Sequence, residues 1–193
     1  MILRKALTIF LLLVCPSAAS ACGIERWAVK VLTDSDHTKI GTRALSKTVS
    51  NLRGEPAPSQ VQVRAADDSR FAPVETHVVI VNAVLLRYRF ETDGDFHLVI
   101  ADPDNLQRTM IAEIPDPGCL SSNQRFAAAA RDMRARLVNR FGSPRGHVVR
   151  LVPPTPIRIR GVPFFDIKHS RPQDGVAPNL IEIHPVLGVD LGR

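Results

Sequence analysis

The sequence predicts a mainly β chain, folded as a small five-stranded barrel with one helix. Three observations carry this. Five stretches rich in β-branched and apolar residues fill the chain after Pro73. One long stretch, Gln124 to Phe141, places apolar residues at helical spacing. That helix falls between the third and fourth of the strands.

The first strand is Val74 to Phe90, VETHVVIVNAVLLRYRF, long enough to bend. Thr92-Asp93-Gly94 is a hairpin turn, because Asp-Gly supplies the positive φ angles tight turns need. Asp95 to Ala101 is the second strand, Asp102 to Gln107 turns again, and Arg108 to Ile114 is the third. Pro115 to Asn123 carries Cys119 and ends in helix-capping residues. Phe126, Ala130, Met133, Leu137 and Phe141 then share one helix face, and Gly142 and Pro144 stop the helix. A proline-rich linker leads to the fourth strand, Ile157 to Asp166, where Gly161 marks a sharp bend. The loop Lys168 to Asn179 precedes the fifth strand, Leu180 to Leu191. The order β-β-β-α-β-β is that of an OB-fold, a partly open Greek-key barrel.

Residues 22–72 read as an extension laid on this domain of residues 73–193. Within it CGIERWAVKVL (22–32) predicts a short strand anchored by Trp27, and Thr33 to Asp36 a turn. Thr48 to Arg53 predicts one or two helical turns ended by Gly54 and Pro56. Residues 54–73 predict a surface loop with a short strand at Val61 to Val63.

Residues 1–21 have the pattern of a secretory signal peptide. Arg4 and Lys5 form a positive start, Ala6 to Cys15 is an apolar run, and Ala19-Ser20-Ala21 offers small residues to a signal peptidase. The run is shorter than the roughly 20 residues of a membrane span. The expectation is an exported protein, periplasmic or secreted, with no transmembrane anchor. Lipid attachment at Cys22 is the lesser alternative. Cys22 and Cys119 remain after cleavage and read as a disulfide pair, closing a loop of about 98 residues. Lys+Arg is 25 and Asp+Glu 19. Without Arg4 and Lys5 the balance is 23 against 19, mildly basic. That is compatible with a small anionic or protein ligand and does not demand nucleic acid.

Two resemblances follow from particular phrases. CGIERWAVK, GDFHLVIADP, TMIAEIPDPGC, GVPFFDIKH and GVAPNLIEIHPVL resemble a family of uncharacterised exported bacterial proteins. This implies a shared fold and no activity. Asp93-Gly94-Asp95, with Arg108, Glu113 and Asp116, is similar to the staphylococcal-nuclease (thermonuclease) family, also an OB-fold. That resemblance implies a calcium-dependent phosphodiesterase. Asp95 and Glu113 would hold Ca²⁺, Asp116 would position water and Arg108 would bind phosphate. Glu113 stands where the family has Asp, and Asn179 where it has a second arginine.

Other candidate residues come from alternation. Asp95 and His97 share one face of the second strand, and Glu182 and His184 one face of the fifth. If the faces meet, these residues form a metal or acid–base cluster; otherwise they are the solvent side of two strands. The loop residues Lys168, His169, Arg171, Gln173, Asp174 and Asn179 offer hydrogen-bonding groups where OB-folds bind ligands. Aromatic residues are 5% of the chain, few for a single-strand nucleic-acid platform, and the helix arginines read as a solvated face. No nucleophile elbow, Walker loop or dinucleotide fingerprint occurs, and nothing calls for an organic cofactor. The sequence thus favours a non-catalytic exported OB-fold binding protein. The alternatives are the calcium-dependent nuclease and a structural envelope component.

Overall fold

The computed structural model describes residues 22–23, 25–120, 122–170 and 174–192. The leader and its cleavage site lie outside them, as do Arg171 and Gln173. In chain order the elements are α1 (Trp27–Lys30), β1 (Gly41–Lys47), α2 (Val49–Arg53), α3 (Gln60–Ala65), β2 (His77–Phe90), β3 (Phe96–Asp102), β4 (Asn105–Ile114), α4 (Gln124–Phe141), β5 (Val149–Phe165) and β6 (Ile181–Asp190). Strand is 39% and helix 25%, so the mainly β expectation holds.

The six strands form one mixed sheet in the order β1-β2-β3-β4-β6-β5, and β2 also pairs with β5. Strands β2, β3, β4, β6 and β5 therefore close a ring, with β1 attached outside it as a parallel partner of β2. The β4–β6 pair is parallel, and the other pairs within the ring are antiparallel. Alternation decides the faces. Leu85, Tyr88, Leu98, Ile100, Met110, Ala112, Ile114, Ile159 and Ile183 belong to one apolar cluster, joined by Phe126, Met133 and Leu137 of α4. The Tyr88 hydroxyl donates to the carbonyl of Gly142, so the buried phenol is satisfied and the end of α4 is held to β2.

Local chemistry explains most element boundaries. Asn123 caps α4 by accepting from Phe126 N, and Gly142 at positive φ ends it. Gly94 stands at φ 93°, where a Cβ would overlap the Asp116 carboxylate. Gly161 sits in an irregular stretch of the β5–β6 register, and a Cβ there would overlap Ile183.

Four expectations are corrected. Residues 22–32 form no strand; the described ones turn through Arg26 at φ 48° into α1. Val61 to Val63 lies in helix α3, begun by a Ser59–Gln62 capping box. Gly41–Lys47, not foreseen as a strand, pairs with β2. The proline-rich linker belongs to β5, which starts at Val149.

The first segment is fixed by buried charge pairs. Arg26 donates twice to Glu75, at 2.9 and 2.7 Å, and stacks 4.7 Å above the Phe164 ring. Arg70 holds Asp34 through two bonds, at 2.9 and 2.6 Å. A Cys22–Cys119 disulfide, with Cα atoms 5.8 Å apart, ties the segment to the turn after β4. Among the described residues, no helix is long and apolar enough to cross a membrane.

Candidate functional site

Where β3, β4 and β6 run together, the polar residues that face away from the apolar cluster are not solvated. His97, Glu113, Glu182 and His184 are all buried, and so is Asp95 just before β3. Two coverings explain this. Phe164 lies under the side chains of Arg26 and Lys30 from the N-terminal segment. Gly175 packs so closely on Val99 that a Cβ would overlap it.

Register brings the side chains together. His97 pairs with Glu113 across β3 and β4, and His97 Nδ1 lies 2.7 Å from Glu113 Oε1. The parallel β4–β6 register pairs Ala112 with Ile183, which sets the next residues, Glu113 and His184, side by side. His184 Nδ1 is 3.0 Å from Glu113 Oε2 and 3.2 Å from Glu182 Oε1. His184 Nε2 is 3.4 Å from Asp95 Oδ2, near enough for an ion pair but not aligned as a hydrogen bond. The two faces foreseen from alternation therefore meet, with Glu113 as the link.

The electrostatics follow from this crowding. Burial opposes a charged His184, but Asp95, Glu113 and Glu182 outweigh it and hold its pKa well above the ordinary value. Burial likewise opposes ionisation of Glu113, yet His184 and His97 hold it well below the usual carboxylate range. Glu182 has less compensation: burial, with the charges of Asp166 and Glu113, pushes it up to about 7. Lys30 is raised despite burial, because Asp166, Glu182, Glu113 and Asp95 surround it.

A cleft of about 360 Å³ opens beside this cluster. Its walls are His97, Glu113 and Glu182 from the sheet, Glu91 to Asp93 from the turn before β3, Asp166 and His169 after β5, and Gly23, Glu25 and Lys30 from the N-terminal segment. Six carboxylates thus face one ammonium and two imidazoles.

The other candidate residues are dispersed. Arg108 lies at the opposite end of β4 and donates to Ser50 Oγ at 3.1 Å, so it does not reach Asp95 or Glu113. Its separation follows from strand geometry: residues five apart on a strand point to opposite faces. Asp116 accepts from Gly118 N at 2.7 Å, and its own N–H donates to Asp95 Oδ1. Arg134 is no solvated helix residue; it donates to the carbonyl of Ile114 at 3.2 Å and stacks 4.3 Å above Phe96. Among the loop residues, His169 lines the cleft and lies 3.0 Å from Asp166. Asp174 pairs with Arg87 in a neighbouring recess. Lys168 meets α3 through its backbone, its N–H donating to Gln60 at 2.6 Å. Asn179 bonds the carbonyls of Leu52 and Glu55 and accepts from Ile181 N, which makes it a brace for the start of β6.

Comparisons with protein-family models, curated proteins and solved structures find no match. The site must be read from its own chemistry.

The Ca²⁺ implied by the nuclease resemblance does not fit. Calcium takes six to eight oxygen ligands. Here each oxygen of Glu113 faces an imidazole, and Asp95 Oδ1 accepts the Asp116 amide. Sequence reasoning missed Glu25, Lys30, Glu91, Asp93 and Asp166. Asp93 belongs to the Asp-Gly turn and Glu91 stands two residues before it, a signal that was present. Glu25 and Lys30 reach the site only through long-range docking.

Proposed function

We propose that the protein is an exported, non-catalytic OB-type binding module whose ligand is a small cation, bound in the carboxylate-lined cleft. The observation that carries this is the six carboxylates around one cleft. Such a cleft focuses negative potential and concentrates positive ligands. It therefore favours a cation over the anionic ligand that the overall charge suggested.

The OB reading is supported by the ring order, the parallel β4–β6 pair and the helix between β4 and β5. In that fold ligands bind across the second and third barrel strands and the loops that flank them. These correspond here to β3, β4, the turn before β3 and the segment after β5, the same places that line the cleft. Export is supported by the disulfide, which suits an oxidising compartment. The phosphodiesterase alternative lacks its arginine, since Arg108 lies away from the acids.

Trp27 packs beside cleft-lining Gly23 and serves as a reporter. Titrating residues 22–193 with spermidine, and separately with phosphate and glutamate, should change Trp27 fluorescence for the cation alone. Asp166→Asn should weaken that response. A response to the anions, or one unchanged in the variant, would overturn the reading. Silence towards every probe would favour the envelope component.

A further inference from the structure

We propose that Glu91, His97 and Glu113 hold one first-row transition-metal dication in the cleft, with Zn²⁺ as the representative ion. This rests on the reading of the cleft as a cation site and names the class of cation. Each of the three residues offers a ligand atom, and these atoms lie within 4.8 Å of one another. His97 Nδ1 is 2.7 Å from Glu113 Oε1 and 3.2 Å from Glu91 Oε1. Two donors about 2.1 Å from a tetrahedral ion stand roughly 3.4 Å apart. Each carboxylate oxygen therefore needs to move less than about 1 Å from His97 Nδ1 to reach that spacing.

His97 is 2% exposed and lines the cleft, and Nδ1 is the ring nitrogen that meets both carboxylates. The imidazole also selects the metal: nitrogen with carboxylate oxygens suits zinc and its neighbours better than calcium or magnesium.

The surroundings supply what ligands of such an ion require. The far oxygen of Glu113 faces His184, which Glu182 and Asp95 hold in turn. Support of this kind fixes a ligand's orientation. His184 is thus a positioning residue. Glu182, which also lines the cleft, stands by as a further oxygen donor. Two cations compete: Arg89 donates to Glu91 at 2.7 Å, and the Lys30 ammonium lies among the acids. Arg89 and Glu91 are each about a quarter to a third exposed, so this pair can part when an ion arrives.

The test is calorimetric titration of Zn²⁺ into chelator-treated residues 22–193, beside a spermidine titration. One ion per chain is expected. His97→Ala and Glu113→Gln should each weaken binding at least a hundredfold. His184→Gln should weaken it about 10- to 100-fold, as loss of ligand support does. Lys168→Ala, at an exposed site outside the cleft, should leave it unchanged. If Glu113→Gln does not fold, Glu91→Gln and His97→Ala keep the test decisive. As a second readout, bound Co²⁺ should give a visible spectrum that changes in His97→Ala. No zinc binding by the native chain, or equal binding by His97→Ala, overturns the metal site. Spermidine binding without zinc binding leaves the cation cleft standing and removes the metal; failure of both removes the two together.

Discussion

Glu75 shows what a single buried charge does for this protein. It is fully buried, receives two bonds from Arg26, and accepts the backbone N–H of Phe165 and of Phe71. One side chain therefore joins the N-terminal segment, the entry to β2 and the end of β5. Removing one member of a buried pair leaves the other charged and unpaired, typically at about 3–5 kcal/mol. Glu75→Gln should lose that much in urea denaturation; a loss under about 1 kcal/mol would mean that Arg26 finds water. His169 and Asp166 give a pH-dependent counterpart. The hydrogen bond to Asp166 raises the His169 pKa above 6.5. Burial opposes ionisation of Asp166, but His169 and Lys30 hold it below 3.8. The histidine contribution is complete below pH 6.5 and is lost as pH rises through the raised value. The aspartate contribution is present above pH 3.8 and is lost as pH falls. The stability difference between wild type and His169→Gln should therefore be widest between about pH 4 and 6.5 and shrink on both sides. A difference that is flat with pH would sink this assignment.

At the scale of elements, the ring depends on close approach at Gly161. A methyl group there would meet Ile183, so Gly161→Ala forces β5 and β6 apart, at about 1–3 kcal/mol by the usual cost of overpacking. Thermal melting checks this, and an unchanged midpoint would show that the irregular register has slack. The same strand shows where sequence patterns mislead. Prolines 153, 154 and 156 read as a linker, yet they lie within β5. The pairings with β6 begin at Arg158, so this half of β5 has β2 on one side and needs fewer N–H donors. The helix α4 was legible to the residue because its cap, apolar face and closing glycine are all local signals. β1 was not, because GTRALSK has little β patterning and gains its structure from pairing with β2. Of the site, Asp95, His97, Glu182 and His184 were visible as separate faces of two strands, and Glu113 only through the nuclease resemblance. That they are buried was not visible, because what buries them lies far away in sequence.

For the whole molecule, the N-terminal segment decides the character of the site. It adds no strand to the ring, and contributes instead Arg26, Lys30 and Trp27 above the sheet and Cys22 to the disulfide. The bond spans a sequence separation of 97 residues, which in the chain-entropy model stabilises by about 4–5 kcal/mol. Cys22→Ser with Cys119→Ser should lower the unfolding free energy from urea denaturation by about that amount, measured against wild type; a change below about 1 kcal/mol would show that Arg26 and Arg70 alone hold the segment.

The disulfide also bears on kinetics. The closed ring of strands is hydrogen-bonded without the segment, whereas the cleft is complete only with the segment in place. Gly23, Glu25 and Lys30 of the segment wall the cleft, and the segment is anchored at one end by sulfur and further along by the buried Arg26 and Arg70. Cutting the sulfur anchor frees one end and leaves the liganding side chains where they are. If the cleft holds a cation as proposed, ligand residence time should then shorten far more than equilibrium affinity falls, the behaviour of a slow-release container rather than of a sponge in rapid exchange.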